Sequence, residues 1–375
     1  MNNIKVIIIG VSHHNTYSMI RCFGEHGIKP ILLLYGCEDS YILRSNYISE
    51  SFVVASANAA SEELIRKKEV WAGGLVISCT DAIASEIDFH YDSIKNIYHI
   101  FNCGETGKLT YYMNKLVQTK CAKDVGLAVP SSFEGLVNEL KECSVPFPRI
   151  MKPVESIHGG KRISISQNQE EFDNSISNLN EADKVIVQQF IQKEYEIVIV
   201  GLAIDDTVVI PGYVHKYRDE KGGTTYATIK PAAELPLFLL EQCENLVKNM
   251  NYQGLFGIEL IKQGDSYFFI EINLRNDATT YAIAKAGVNL PMALFENVVR
   301  GGDFNACLGK IREINSMVEF PDFIHVLRRK VSIFSWYKQL KNCDCKYIFS
   351  KEDREPFKVY RKEFIRFLIK RITKI

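Results

Sequence analysis

Two apolar segments that carry acidic and amide side chains constrain the fold of this chain more than any other feature. They span residues 255–262 and 267–274, and a short polar turn that contains a glycine separates them. Apolar runs joined in this way predict an antiparallel β-hairpin. Because side chains alternate between the two faces of a strand, Glu271, Asn273 and Arg275 are expected to share one face.

The length of the turn decides whether Glu259 also lies on that face. A three-residue turn, Gly264-Asp265-Ser266, places Glu259 opposite Glu271. A turn of only Gly264-Asp265 would place Glu259 opposite Ile270 and direct it to the other face. We predict the three-residue turn, which gathers both glutamates on one side of the hairpin.

The oxygen atoms on that face are typical ligands of a hard divalent cation. Mg²⁺ binds carboxylate and amide oxygens, usually together with water and nucleotide phosphates. We therefore expect Glu259, Glu271 and Asn273 to bind the metal, and Arg275 to reach phosphate oxygens with its planar guanidinium group. The alternative is that each glutamate is an ordinary solvated strand residue. The apolar flanks weigh against it, because an unpaired carboxylate on a central strand is costly.

The segment Glu271-Ile272-Asn273-Leu274-Arg275, followed by residues 286–291, resembles the last metal-binding strand of the ATP-grasp ligases. The resemblance extends over most of the chain, up to about Arg300. It implies an α/β (α+β) fold in which a Rossmann-like domain precedes the ATP-grasp domain and a basic, mainly helical extension follows it. The implied domains are 1–101, 102–305 (with subdomains 102–189 and 190–305) and 306–375.

The same resemblance implies a phosphate site upstream of the hairpin. Lys115, near the start of a predicted helix, and Lys152, at the end of a predicted strand, match basic residues that contact phosphate. Gly159 and Gly160 match a flexible loop whose amides face phosphate oxygens. Many relatives have Asp where this chain has Asn114. For Lys115, the alternative is therefore a solvated lysine on a helix.

The nucleoside is expected to bind where the chain crosses between the two subdomains. The segment that matches this crossing consists of Gln188, Gln189, Phe190 and Ile191. By resemblance, its backbone groups pair with the adenine edge, and Glu194 accepts the ribose hydroxyls. Glu196, two residues further along the same face, is the alternative. Lys216 is the candidate for a further contact with the triphosphate, with His215 and Arg218 as alternatives.

Residues 1–101 alternate buried-type strands with helices, which predicts a doubly wound α/β domain. The loop after the first strand, residues 10–15, lacks the glycine spacing of a dinucleotide-binding fingerprint. This argues against a nicotinamide-dependent dehydrogenase. By resemblance, His13, His14 and Asn15 help to bind the acceptor substrate; the alternative is that they only cap the following helix.

The composition is that of an ordinary soluble protein. A chain of 375 residues predicts two or three domains, and 46% hydrophobic with 24% charged residues is typical of globular proteins. Ten cysteines without a repeated spacing indicate reduced thiols rather than a zinc site. The apolar run near the amino terminus is too short for a signal peptide, so we expect a cytoplasmic location.

The zero net charge conceals an asymmetry. Residues 321–375 contain 15 Lys and Arg against 6 Asp and Glu. Aromatic and aliphatic residues alternate with these charges at helical spacing, including Phe357, Tyr360, Phe364 and Leu368. We favour packing of this basic tail onto the acidic body. The alternative is peripheral contact with the inner face of the membrane, and binding to nucleic acid is not expected.

The leading hypothesis is an ATP-dependent carboxylate-amine ligase that forms an amide through an acylphosphate. Its cofactors would be ATP and Mg²⁺, with Mn²⁺ as an alternative metal, and Arg275 and Lys152 would stabilise the transferred phosphoryl group. Its partners would be a small or polymer-linked carboxylate and an amine, with a homodimer as one option for assembly. The alternatives are a carboxylase or carbamoyl-phosphate-type enzyme that uses bicarbonate, and a non-catalytic nucleotide-binding regulator.

Overall fold

The computed structural model describes residues 5–153, 164–177, 179–220, 222–302 and 309–372. Its first sheet has four parallel strands in the order β3-β2-β1-β4. These strands are β1 (Val6–Gly10), β2 (Ile31–Tyr35), β3 (Glu50–Val54) and β4 (Leu75–Ser78). The helices of this region are α1 (His14–Gly24), α2 (Ala57–Arg66), α3 (Lys68–Trp71), α4 (Asp81–Phe89) and α5 (Tyr91–Ile94). β1, β2 and β4 are buried throughout, as their unbroken apolar sequences require, and the predicted Rossmann-like domain is confirmed.

A second, smaller sheet follows two helices, α6 (Lys108–Tyr112) and α7 (Lys115–Asp124). Its strands are antiparallel and lie in the order β5-β8-β6-β7. They are β5 (Ser132–Leu136), β6 (Arg149–Pro153), β7 (Ser164–Ser166) and β8 (Lys184–Gln189), with α8 (Gln169–Ile176) between β7 and β8. The sheet has its own small core, in which Met151, Phe172 and Val187 are buried.

The largest sheet has seven strands in the order β13-β12-β9-β10-β11-β14-β15. They are β9 (Tyr195–Ile204), β10 (Thr207–Glu220), β11 (Gly223–Pro231), β12 (Gly254–Gln263), β13 (Ser266–Asn273), β14 (Ile314–Met317) and β15 (Cys345–Lys346). The helices α9 (Leu237–Asn249), α10 (Thr280–Ala286) and α11 (Leu290–Arg300) belong to the same part of the chain. One apolar cluster unites β9, β12, α9 and α10 with α1 of the first domain, so the two regions share a core.

The hairpin β12–β13 forms, but its turn differs from the prediction. Gln263 pairs with Ser266, so the turn is the two-residue Gly264-Asp265, and the expected three-residue turn is wrong. Glu259 nevertheless pairs with Glu271, because the register shifts by one residue between Glu259 and Leu260. The extra residue is Ile270, which forms a β-bulge. The bulge therefore places Glu259 and Glu271 on the same face, which is the arrangement expected from the longer turn.

The basic carboxyl-terminal region is largely helical and packs onto the body, as favoured from the sequence. Its helices are α12 (Glu319–Leu327), α13 (Ile333–Lys341) and α14 (Arg354–Ile372), and the short strands β14 and β15 extend the large sheet. Phe357 and Tyr360 of α14 pack on Phe320. Just before α14, Asp353 is buried and accepts hydrogen bonds from Tyr17 and Ser45 of the first domain. None of the helices in the described part of the chain is long and apolar enough to cross a membrane.

Candidate nucleotide and metal site

Four charged side chains line one face of the large sheet. Residues directly opposite one another on paired strands share a face, and here Lys216 lies opposite Glu196 while Glu259 lies opposite Glu271. Glu259 also lies opposite Val198, two residues after Glu196, so all four charged residues are on the same side. The sheet therefore places three carboxylates and one lysine on the same face.

Lys216 is at the centre of this group. Its Nζ atom lies 2.7 Å from Oε2 of Glu259 and 3.6 Å from Oε2 of Glu196, and its side chain is only 6% exposed. Burial alone lowers the pKa of Lys216, but the charges of Glu259 and Glu196 leave it above the ordinary value. Lys216 is thus a permanently charged cation whose partners lie on two neighbouring strands. His215 stacks on Tyr195 instead, with ring centroids 4.4 Å apart.

Glu259 is in an environment that favours a bound cation. Burial raises the pKa of its carboxyl group, Lys216 opposes this shift, and the nearby carboxylates of Asp277 and Glu271 increase it. A cation between these groups would relieve their repulsion. Asn273 is buried and donates from Nδ2 to Oδ2 of Asp277 at 3.2 Å. Its amide oxygen accepts a hydrogen bond from Arg275.

Gly257 allows the carboxylate of Asp277 to lie close to the hairpin. A Cβ atom at Gly257, opposite Asn273 on β12, would lie 2.8 Å from Oδ2 of Asp277. Within the described residues, no group of three or more His, Cys, Asp or Glu side chains could hold a metal ion alone. The predicted set of two carboxylates and one amide suits Mg²⁺, which usually completes its octahedron with water and phosphate. The residues present therefore fit a metal that is shared with a nucleotide.

Lys115 reaches the site from a helix. Its Nζ atom lies 3.0 Å from Oε2 of Glu271. Helix α7 begins here because the side chain of Asn114 caps it, accepting from the backbone amides of Leu116 and Val117. One turn further on, Gln118 donates to the carbonyl of Ile272 at 2.9 Å and accepts from its amide at 3.1 Å. Gln118 thus fastens α7 to the edge strand β13 and brings Lys115 beside Glu271.

Arg275 connects the site to the first domain. Its Nε atom lies 2.7 Å from Oδ1 of Asp81, at the first turn of α4, and its Nη2 donates to Oδ1 of Asn273 at 2.9 Å. The next residue, Asn276, accepts a hydrogen bond from Asn15 in the first turn of α1 through its carbonyl and donates one to it through its side chain. Burial, and then the charge of Arg275, lower the pKa of His13. The end of β13 and the carboxyl ends of the parallel strands therefore meet at one place.

The expected nucleoside region lies between the small four-stranded antiparallel sheet and the seven-stranded sheet. β8 ends at Gln189, and the amide of Phe190 donates to the carbonyl of Pro148 at 2.8 Å. Glu194 accepts a hydrogen bond of 2.7 Å from the amide of Gly264 in the hairpin turn. Its alternative, Glu196, lies on the face that carries Lys216.

Other predicted residues lie elsewhere. Gly159 and Gly160 lie outside the described residues, and only the backbone of Lys152 is described, in β6. Arg218, an alternative to Lys216, forms hydrogen bonds of 3.0 and 2.8 Å with the buried carboxylate of Asp322. This ion pair attaches α12 to β10, so Arg218 has a structural role.

Comparison with known proteins agrees with this geometry. Residues 121–286 match the family model of the ATP-grasp domain. The chain contains an ATP-grasp domain. It is similar to the formate-dependent phosphoribosylglycinamide formyltransferase of Methanocaldococcus jannaschii, with 24% identity over 266 residues, 67% of this chain and 64% of that enzyme. The matched region is thus less than two thirds of that relative's length.

Solved structures show the same fold around the ATP-grasp domain. An N5-carboxyaminoimidazole ribonucleotide synthetase in complex with ADP superimposes with a TM-score of 0.66 at 15% identity, covering 88% of this chain and 87% of that one. The L-amino acid ligase of Bacillus licheniformis gives 0.63 at 15% identity, covering 84% and 79%. ATP-grasp enzymes use ATP and Mg²⁺, which agrees with the ligands expected from the sequence.

Three residues near the ATP-grasp hairpin were not identified from the sequence. Asp81 pairs with Arg275, Gln118 holds the backbone of Ile272, and Asp277 adds a carboxylate beside Glu259. Asp81 follows a strand of the parallel sheet, a position where ligand residues are common, so a signal for it existed. Nothing local marks Gln118, because its role depends on how α7 docks on β13.

Proposed function

We propose that the protein is an ATP-dependent carboxylate-amine ligase. The observation that carries this proposal is the pair Glu259 and Glu271, opposed on one hairpin of an ATP-grasp domain and each joined to a lysine from a different element. Carboxylates next to lysines form a site that accepts a metal and a polyphosphate together, because the lysines can turn from the carboxylates to phosphate oxygens.

Each residue then has a definite role. Glu259, Glu271 and Asn273 would hold Mg²⁺, which when bound supplies positive charge to the phosphate oxygens. Lys115, Lys152 and Arg275 would bind the transferred phosphoryl group, and Lys216 the neighbouring phosphates. Two further groups of residues complete the proposed site. The adenine would be bound by Gln188, Gln189, Phe190 and Ile191, and the ribose by Glu194. The phosphates would be covered by Gly159 and Gly160, which would exclude water.

The reaction has two steps. A carboxylate oxygen attacks the γ-phosphorus of ATP, and the bond to the β,γ-bridging oxygen breaks to release ADP and leave an acylphosphate. The amine nitrogen then attacks the acyl carbon, the carbon–oxygen bond to phosphate breaks, and phosphate leaves with the electron pair while the nitrogen loses a proton. Positioning and charge stabilisation suffice for both steps, so no Ser, Cys or His nucleophile is needed. We propose a cytoplasmic location, where ATP is abundant.

The test is a phosphate-release screen with pooled amino acids and sugar acids, followed by mass spectrometry of the products. The expected result is phosphate release that depends on both an acid and an amine, with a product whose mass equals their sum minus water. Release that depends on bicarbonate without any organic acid would favour a carboxylase instead. ATP binding without turnover under any acceptor would identify a regulator.

A further inference from the structure

The carboxyl-terminal region encloses a cavity of about 480 Å³ beside the first domain. We call it the C-terminal pocket. Its lining residues come from α12, α14, the β1–α1 loop, the short helix at residues 41–44 and the tip of the β10–β11 hairpin. The residues used below are His13, Tyr41, Phe320, Tyr360, Glu363, Phe364 and Phe367. A volume of this size suits a ligand the size of an aromatic amino acid.

One wall of the C-terminal pocket is aromatic and firmly packed. Tyr360 lies 4.6 Å from Tyr41 and 5.0 Å from Phe320, measured between ring centroids. Phe364 lies 5.0 Å from Phe320. Contacts from two other elements hold the rings of α14, so the wall exists before any ligand binds. Phe367, at the end of this wall, is 45% exposed and has room to cover an apolar group.

The charges of the C-terminal pocket favour a cation over an anion. Among its described lining residues there is no Lys or Arg, whereas two glutamates, Glu220 and Glu363, are present. Arg328 neutralises Glu220 from outside, with nitrogen–oxygen distances of 2.5 and 3.0 Å. Burial, and then the charge of Asp39, raise the pKa of Glu363, whereas the charge of Arg366 lowers it. A carboxylate ligand would find no Lys or Arg among the described lining residues, whereas an ammonium group would find Glu363.

The C-terminal pocket borders the proposed site of chemistry. His13 lines the pocket and is close enough to Arg275 for that charge to affect its pKa. Ser12 of the same loop shares a 2.7 Å hydrogen bond with Ser40, next to Asp39, so the acidic edge lies beside the β1–α1 loop. A ligand held here can therefore extend past His13 toward the phosphates.

We propose that the C-terminal pocket binds the amine substrate, and that this amine carries an apolar or aromatic group. The proposal rests on the proposed ligase function and specifies the class of one of its two organic substrates. Glu363 holds the ammonium group and accepts one of its protons before the nitrogen attacks the acyl carbon, and the rings of α12 and α14 cover the apolar group. The other substrate, the carboxylate, binds outside this pocket, beside Arg275.

The test uses the full chain with Mg²⁺ and a non-hydrolysable ATP analogue, and measures binding of three probes by calorimetry. Phenethylamine is expected to bind at least about tenfold more tightly than ethylamine, which lacks the ring, or phenylacetate, which lacks the ammonium group. Tighter or equal binding of phenylacetate would overturn the proposal. Glu363→Gln is expected to weaken the binding of phenethylamine but not that of 2-phenylethanol. An equal loss of affinity for both compounds would contradict the role of the charge.

Phe367→Ala tests the apolar wall, and its matched control is Phe334→Ala. Phe334 lies on α13, is 86% exposed and does not line the pocket. Phe367→Ala is expected to weaken the binding of phenethylamine at least about fivefold, whereas Phe334→Ala is expected to leave this affinity unchanged. Equal effects of the two variants reject the pocket. Binding of the ATP analogue, followed in the same samples, separates the two hypotheses, because its absence refutes the ligase function while amine binding tests the pocket itself.

Discussion

Glu259 and Glu271 lie directly opposite each other across a hairpin whose turn has only two residues, because Ile270 bulges out of the strand between them and the turn. A bulge inserts one residue on one strand and so restores the side-chain face that a regular two-residue hairpin would have lost. The acidic face of the hairpin thus depends on Ile270 as well as on the glutamates. Bulges are frequent next to active sites for this reason.

Glu271→Ala should abolish ATP cleavage and amide formation together. Removing one of two opposed carboxylates takes away a proposed metal ligand and the ion-pair partner of Lys115, which is 3.0 Å away. We expect kcat/KM for both reactions to fall at least about 100-fold, as measured by ADP and product formation.

The matched control is Glu244→Ala on α9, where a glutamate pairs with Lys248 on the surface. This variant should retain activity within about twofold, because an exposed pair of this kind contributes little. Full phosphate release by Glu271→Ala would remove the assignment of the metal site.

Lys216→Met should destabilise the protein and make its stability depend on Mg²⁺. The variant leaves Glu259 partly buried without its cation, whereas Glu196 keeps its pair with Lys193, and we expect a cost of about 3 kcal/mol in the free energy of unfolding. Mg²⁺ at millimolar concentration should restore part of this loss by occupying the carboxylates. Urea unfolding of both proteins, with MgCl₂ and with NaCl of equal ionic strength, measures the effect; equal responses to the two salts would contradict it.

Arg275→Ala and Asp81→Asn should separate two roles of the contact between the domains. The carboxylate of Asp81 is 62% exposed, so its ion pair with Arg275 should contribute less than about 1 kcal/mol. Asp81→Asn is therefore expected to change kcat/KM for ATP less than tenfold, and Arg275→Ala about 100-fold or more, because Arg275 also contacts phosphate in the proposed complex. Equal losses in steady-state kinetics would show that Arg275 serves only to dock the first domain.

Local sequence signals predicted much of the fold. The unbroken apolar run of β1 indicated a buried parallel strand, and α7 begins at Lys115, near the predicted start of that helix. Strand periodicity predicted the shared face of the acidic hairpin, and the resemblance of its second strand to the last metal-binding strand of the ATP-grasp ligases indicated the domain. Each of these features is determined by residues close together in the chain.

The features that sequence reasoning missed depend on residues far apart in the chain. The bulge at Ile270 arises from packing of β12 and β13 in the sheet, since the turn sequence alone allows either length. Arg218 was an alternative for phosphate binding because it is basic and lies on β10, but its partner Asp322 is 104 residues away. The roles of Gln118 and Asp81 likewise exist only after separate elements have docked.

The protein should lose stability as the pH falls below 6.5, and His14 should account for a large part of the loss. Burial, and then the neighbouring charge of His13, keep the pKa of His14 well below 6.5, and its ring packs 5.5 Å from that of Tyr347. Below pH 6.5 the unfolded chain binds a proton at this position and the folded chain does not. The free energy of unfolding should therefore decrease by up to about 1.4 kcal/mol per pH unit, until the pH reaches the folded-state pKa.

His14→Phe keeps a ring against Tyr347 but cannot be protonated, so urea unfolding of this variant should show a slope that is smaller by roughly that amount between pH 6.5 and 5. Its stability at pH 8, where His14 is neutral in both states, reports the change in packing alone. The same pH slope in both proteins would contradict this role, because it would show that His14 becomes protonated in the folded protein.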